Sequence, residues 1–142
     1  MGEKEKELLL KDLCLMASYS PICSIFREAD SGVGWMDYKM LGFYRFGTDK
    51  GAIEFYFEDI VSIDTVEKIK PYLRPMSSMT EEEIDEFILI SDTVLWLGDK
   101  RSTCILSLEQ MDWLNAHHFD YRGLIEKGLA IEVTEDNNPY EN

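Results

Sequence analysis

The sequence predicts an α+β fold: a single domain whose antiparallel sheet is built from hairpins, with about three helices packed chiefly on one face. Three observations carry this expectation. The chain opens on an amphipathic helical stretch, continues into aromatic and β-branched segments broken by a glycine-bounded turn, and then shows the same helix-start signature twice. With 142 residues, 45 % of them hydrophobic and including seven Phe, seven Tyr and three Trp, one domain can bury a core of its own. Residues 1–133 read as that domain. Residues 134–142, "TEDNNPYEN", read as a polar tail with too little apolar content to order itself.

Taken in order, residues 3–17 place Leu9, Leu13 and Met16 on one helical face, with Glu3, Glu5 and Glu7 suiting the amino-terminal turns. A Ser-, Pro- and Gly-containing loop follows. "DYKMLGFYRF" and "AIEFYFEDIVSI" then flank "GTDKG" as a hairpin, with Ile53, Phe55, Phe57, Val61 and Ile63 alternating onto one face and Glu54, Glu58 and Ser62 onto the other. The stretch after Asp64 reads as a short capped helix and then a crossing loop, because Pro71 and Pro75 forbid a long helix. Thr80 with Glu83 forms a capping box and Met79 with Ile84 a hydrophobic staple, starting a helix over 81–91 that buries Ile84, Phe87 and Ile88. "TVLWL" and "STCIL" around "GDKR" suggest a second hairpin. Ser107 with Gln110, and Leu106 with Met111, repeat the box and staple for a helix reaching His117, and "GLAIEV" suggests a last strand.

Charge narrows the function classes. Twenty-eight acidic and fourteen basic residues give a net charge of −14, which repels nucleic-acid phosphates and anionic membranes, so direct nucleic-acid binding is not expected; such a charge could serve docking on a basic protein partner, but many soluble proteins are acidic for solubility alone, and the partner stays open. Homo-oligomerisation stays open. The apolar run near the amino terminus is interrupted by Lys11 and Asp12, so neither a signal peptide nor a membrane span is expected and the chain reads as cytoplasmic. Cys14, Cys23 and Cys104 form no C-x-x-C pair and read as reduced thiols; no cofactor is expected, since "SGVGW" lacks the remainder of any phosphate-binding fingerprint.

The stretch that most resembles chemistry is "HHFDYRG" at 117–123, which holds both histidines. His118 continues the stripe of Leu108, Met111 and Leu114, while His117 points about 100° away around the helix, so the two rings do not converge on a continuous helix. If the helix ends between them, His117, His118 and Asp120 become a candidate catalytic or metal-binding set for a small metal-assisted hydrolase or nuclease, completed by a distant carboxylate such as Asp92 or Asp99. The structural alternative places a histidine at a helix carboxyl end, has Asp120 cap the next short helix, and stops that helix at Gly128. It leaves Tyr121 to pack and Arg122 to pair with a carboxylate. The structural alternative is favoured, because it uses every residue of the stretch.

"IKPYLRPMSSMTEEE" at 69–83 and "DWLNAHHFDYRGLIEKGLAIE" at 112–132 together resemble a family of small proteins of gut Bacteroides and their phages, in which the two blocks recur as a pair. The resemblance covers about a quarter of the chain. It implies association with a phage or mobile element and carries no enzymatic activity with it. It also suggests that the blocks pack together, with Tyr72, Arg74, His118, Tyr121 and Arg122 on one surface able to bind a partner. The functional expectation is therefore an accessory protein acting through protein–protein contact, with the metal-assisted enzyme as its alternative.

Overall fold

The structure, a computed structural model, describes residues 2–29, 32–46, 52–59, 61–63, 65–90 and 108–140. Helix α1 (Glu3–Met16) is followed by strands β1 (Ile22–Ala29), β2 (Gly32–Phe46), β3 (Ala52–Phe57), β4 (Val61–Ile63) and β5 (Ile69–Pro75). Then come helices α2 (Glu81–Leu89) and α3 (Leu108–Ala116) and two short strands, β6 (Phe119–Asp120) and β7 (Ile131–Glu132). The strands form one mostly antiparallel sheet in the order β4-β3-β2-β1-β5-β6, with β7 also pairing β5; only the β6 and β7 pairings are parallel. This is the α+β architecture the sequence predicts.

Alternation along the strands decides which side is core. Cys23 and Ile25 of β1, Met40 of β2, Phe55 and Phe57 of β3, Val61 of β4 and Ile69 and Leu73 of β5 point inward. They meet Leu9, Leu13 and Met16 of α1, all three buried. A second, smaller cluster joins Met79, Phe87, Trp113, Leu114 and Phe119, drawing α2 and α3 together. The Thr80 hydroxyl accepts from Glu83 N–H at 3.2 Å and the Glu83 carboxylate accepts from Thr80 N–H at 3.0 Å, so the capping box forms as its spacing predicts. Met79 and Ile84 both join that second cluster, as a staple requires.

Several local expectations are corrected. Residues 22–29 and 32–36 are strand rather than loop: they form β1 and the start of β2, a ladder from Ile22↔Lys39 to Ala29↔Gly32. β1 alternates only briefly before "READ", and it is held by strands on both edges rather than by its own propensity. The long strand over 52–63 is two strands, because Asp59 takes a left-handed turn (φ 63°) that folds Val61 onto Phe57 and Ile63 onto Phe55. The crossing loop is β5; proline's fixed φ is compatible with extended backbone, as Pro75 shows at φ −64°, ψ 146°. The helix expected after Asp64 is a single 3₁₀ turn, Val66–Lys68. In α2, Phe87 is buried but Ile88 is 40 % exposed, off the packed stripe. The expected hairpin over 93–106 and the Ser107 cap lie outside the described residues.

The polar tail is ordered through residue 140. Asn137 accepts from Thr134 N–H and donates to the Glu132 carbonyl, turning the chain back, and Tyr140 enters the body of the domain. The β1–β5 ladder ends at Cys23↔Pro71, so the next rung would join Ile22 to Tyr72. Instead the Tyr140 hydroxyl accepts from Ile22 N–H at 3.0 Å and donates to the Tyr72 carbonyl at 2.8 Å. A side chain thus replaces one rung of the sheet.

Removing that hydroxyl leaves two backbone groups without their partner. Tyr140→Phe is expected to lower unfolding stability by about 2 kcal/mol, read as a lower urea midpoint at unchanged slope. An unaltered midpoint would show that the rung is dispensable.

Candidate functional site

The histidine stretch is built where α3 stops. His117 N–H still reaches the Trp113 carbonyl at 3.1 Å, whereas His118 takes a left-handed conformation (φ 62°) and donates to Asn115 at 3.1 Å. Glycine normally fills that place, since a side chain there is crowded. Two contacts hold His118 in it. Its carbonyl accepts Arg74 N–H at 2.7 Å, closing the β5–β6 pair, and its ring stacks on Tyr140 at 4.0 Å and 9°. Burial, with lesser contributions from His117 and Arg74, pushes the His118 imidazole down to about 4, so it is neutral at pH 7. Its Nδ1 is buried without a hydrogen-bond partner.

The two rings stack on different partners. His117 stacks on Trp113 at 4.0 Å, and its Nδ1 lies 2.8 Å from the Trp113 carbonyl. A carbonyl only accepts, so Nδ1 carries the proton and donates. Asp120 is fully engaged as a cap: its two carboxylate oxygens accept from Leu124 N–H at 2.9 Å and Ile125 N–H at 3.0 Å. What it caps is a turn over 124–128 rather than a helix, closed by Gly128 at φ 73°.

The sequence-proposed surface does not assemble as one patch. Tyr72 donates to both oxygens of Asp37 at 3.0 and 3.1 Å, on the sheet face away from α1. Arg74 makes a two-pronged pair with Glu83 at 2.7 and 2.8 Å and lies 4.1 Å over the Phe119 ring. That pair, with the capping bonds, holds the Glu83 carboxyl down at about 2. Tyr121 packs against the second cluster, and Arg122 reaches α1, its Nε 3.1 Å from Asp12 Oδ1. Arg74, Glu83, His117, His118, Asn138 and Tyr140 line one open groove of about 440 Å³, and Asp120 lies outside it. Among the described residues no three His, Cys, Asp or Glu side chains are placed to hold a metal ion. Asp92 and Asp99 lie outside the described residues.

Two contributors escaped the sequence reading. Tyr140 sits in a tail whose composition says nothing of packing. Asp12 did leave a signal: it falls beside Leu9, Leu13 and Met16 on the buried stripe of α1 and is only 4 % exposed. Its oxygens are close to Arg122 yet receive no well-aligned donor, and burial pushes its carboxyl up to about 6 against the pull of Arg122. With Asn115, Asp120 and Arg122 it lines a small gap of about 10 Å³, about the size of one water molecule.

No family model matches the chain, and no curated protein or solved structure shows significant similarity to it.

Zinc or manganese titrated by calorimetry is expected to give no one-to-one binding; tight binding abolished by His117→Ala would reinstate the metal reading. Asp12 and His118 act oppositely on stability. A raised carboxyl binds extra protons in the folded state, so its contribution falls as pH rises from about 4 to 6, by an amount on the order of 3 kcal/mol. A lowered imidazole does the reverse, its contribution growing as pH rises from about 4 to 6.5. Urea denaturation at pH 4.5 and 7.5 is expected to show Asp12→Asn gaining stability with pH relative to the wild type. His118→Asn, which tolerates a left-handed backbone, is expected to lose it.

Proposed function

We propose that the protein is a contact protein, an acidic accessory module that works by binding a basic protein partner through the sheet face opposite α1. The observation that carries this reading is that face itself. Trp35, Leu41, Tyr44 and Tyr56 lie at 46, 60, 39 and 37 % exposure amid Asp37 and Glu54. Exposed aromatic side chains beside carboxylates suit cationic side chains, which combine ion pairing with attraction to the ring face. The face already contains one such arrangement, with the Lys70 ammonium 5.4 Å over the Trp35 ring.

The histidine stretch supports the same reading from the other side. His117 and Asp120 are bound to backbone, and His118 is held against Tyr140, so these groups serve the fold. The net charge of −14 favours a basic occupant over a second copy of the chain, which brings like charge to like. The resemblance of the paired blocks to proteins of Bacteroides phages supports a role as an accessory to a phage or mobile element.

A mixed lysine- and arginine-rich peptide is expected to bind the wild type and to weaken by at least about tenfold between 50 and 300 mM salt, as screening shortens. Trp35→Ala combined with Tyr56→Ala removes exposed rings without altering net charge and is expected to weaken binding further, measured by fluorescence anisotropy of the labelled peptide. Equal affinity in that variant would sink the outer face as the contact surface.

A further inference from the structure

Resting on that reading of the outer face, we infer that it holds a specific slot for an arginine side chain, floored by Gly42 and walled by Tyr56 between Glu54 and Glu58. The slot follows from strand register. A bulge at Leu41 shifts the β2–β3 ladder so that Gly42, not a side-chain-bearing residue, stands opposite Tyr56. Cross-strand partners share a face, so a side chain at position 42 would stand beside the Tyr56 ring. A Cβ built there meets nothing within 4 Å. The backbone at Gly42 is not in the left-handed region, so glycine is not needed there for conformation. What glycine leaves is open space beside that ring.

The walls have the chemistry of a guanidinium site. Tyr56 stacks on Tyr44 at 4.7 Å and 23°, which orients the ring. Glu54, directly opposite Tyr44, is fixed by accepting its hydroxyl at 2.9 Å. Glu58, at the far end of the same row, is fixed by accepting Lys39 N–H at 3.1 Å while its own N–H donates to the Lys39 carbonyl at 3.0 Å. Two anchored carboxylates thus stand on either side of Tyr56, Glu54 within β3 and Glu58 just beyond it. A planar guanidinium can lie on the ring and direct its edge N–H groups to both carboxylates, whereas an ammonium is a strongly hydrated point charge and gains less from the flat wall. The slot therefore selects arginine over lysine within a basic partner.

The test uses two acetylated, amidated hexapeptides, one all arginine and one all lysine, titrated into the full chain at 150 mM salt. The variant is Gly42→Val, which fills the slot, keeps the net charge and suits a strand. Circular dichroism and the melting temperature establish that it folds; Gly42→Ala serves if it does not. Binding of the arginine peptide is expected to exceed that of the lysine peptide by about tenfold and to fall to the lysine level in the folded variant, with Glu54→Gln giving a smaller loss. Equal binding of both peptides, unchanged by filling position 42, overturns the slot while leaving a basic contact surface standing. Failure of both peptides to bind the wild type overturns the slot and the basic-partner reading together.

Discussion

Strand β5 has backbone groups that β1 does not reach, and much of the molecule is arranged around satisfying them. β1 covers only Ile69 to Pro71. Beyond that point the Tyr140 hydroxyl takes the Tyr72 carbonyl, Val133 N–H donates to the Leu73 carbonyl at 2.9 Å, and Arg74 N–H donates to His118. Each of these partners comes from the carboxyl-terminal third of the chain. An unpaired buried backbone group costs as much as a lost hydrogen bond, so the last third must fold back for β5 to be stable at all. The sheet and the helical cluster are joined by that requirement.

The same requirement explains the left-handed histidine. His118 must present its carbonyl to Arg74 immediately after α3 ends, which needs the chain to reverse within one residue. Its imidazole then lies flat on Tyr140, whose hydroxyl is already committed between Ile22 and Tyr72. One residue thus terminates a helix, closes a parallel strand pair and clamps the tail. Arg74 adds the link to α2, since its guanidinium grips the same Glu83 that caps that helix. In this stretch His117 Nδ1 and both Asp120 oxygens meet backbone groups, while His118 contributes its backbone to the joint and its ring to the stack on Tyr140.

Because α1 covers one side of the sheet, the two faces have diverged. The inner face carries the apolar row from Cys23 to Leu73; the outer carries rings and carboxylates in cross-strand register. The bulge at Leu41 matters to both, since it keeps Phe43 beside Phe55 on the inner side, at 5.8 Å between rings, while setting Tyr44 against Glu54 on the outer.

Local grammar in the sequence determined the elements whose causes are local. The Thr80–Glu83 box, the Met79–Ile84 staple, the apolar stripe of α1 and the alternation through Phe55 and Phe57 depend on neighbours within a few residues, and each was legible there. So was the capping role of Asp120. Only the tertiary structure decided the rest. β5 does alternate, Ile69, Pro71 and Leu73 inward against Lys70, Tyr72 and Arg74, but nothing within "SIFREA" or "KPYLRP" names the distant strand that satisfies each edge. Tyr140 is ordered by one hydroxyl meeting two backbone groups, at separations of 118 and 68 residues, and Asp12 met Arg122 only when the ends of the chain were brought together. Those contacts are non-local pairings of single polar groups. Composition and spacing record burial and backbone preference, but which donor meets which acceptor is fixed by the path of the folded chain.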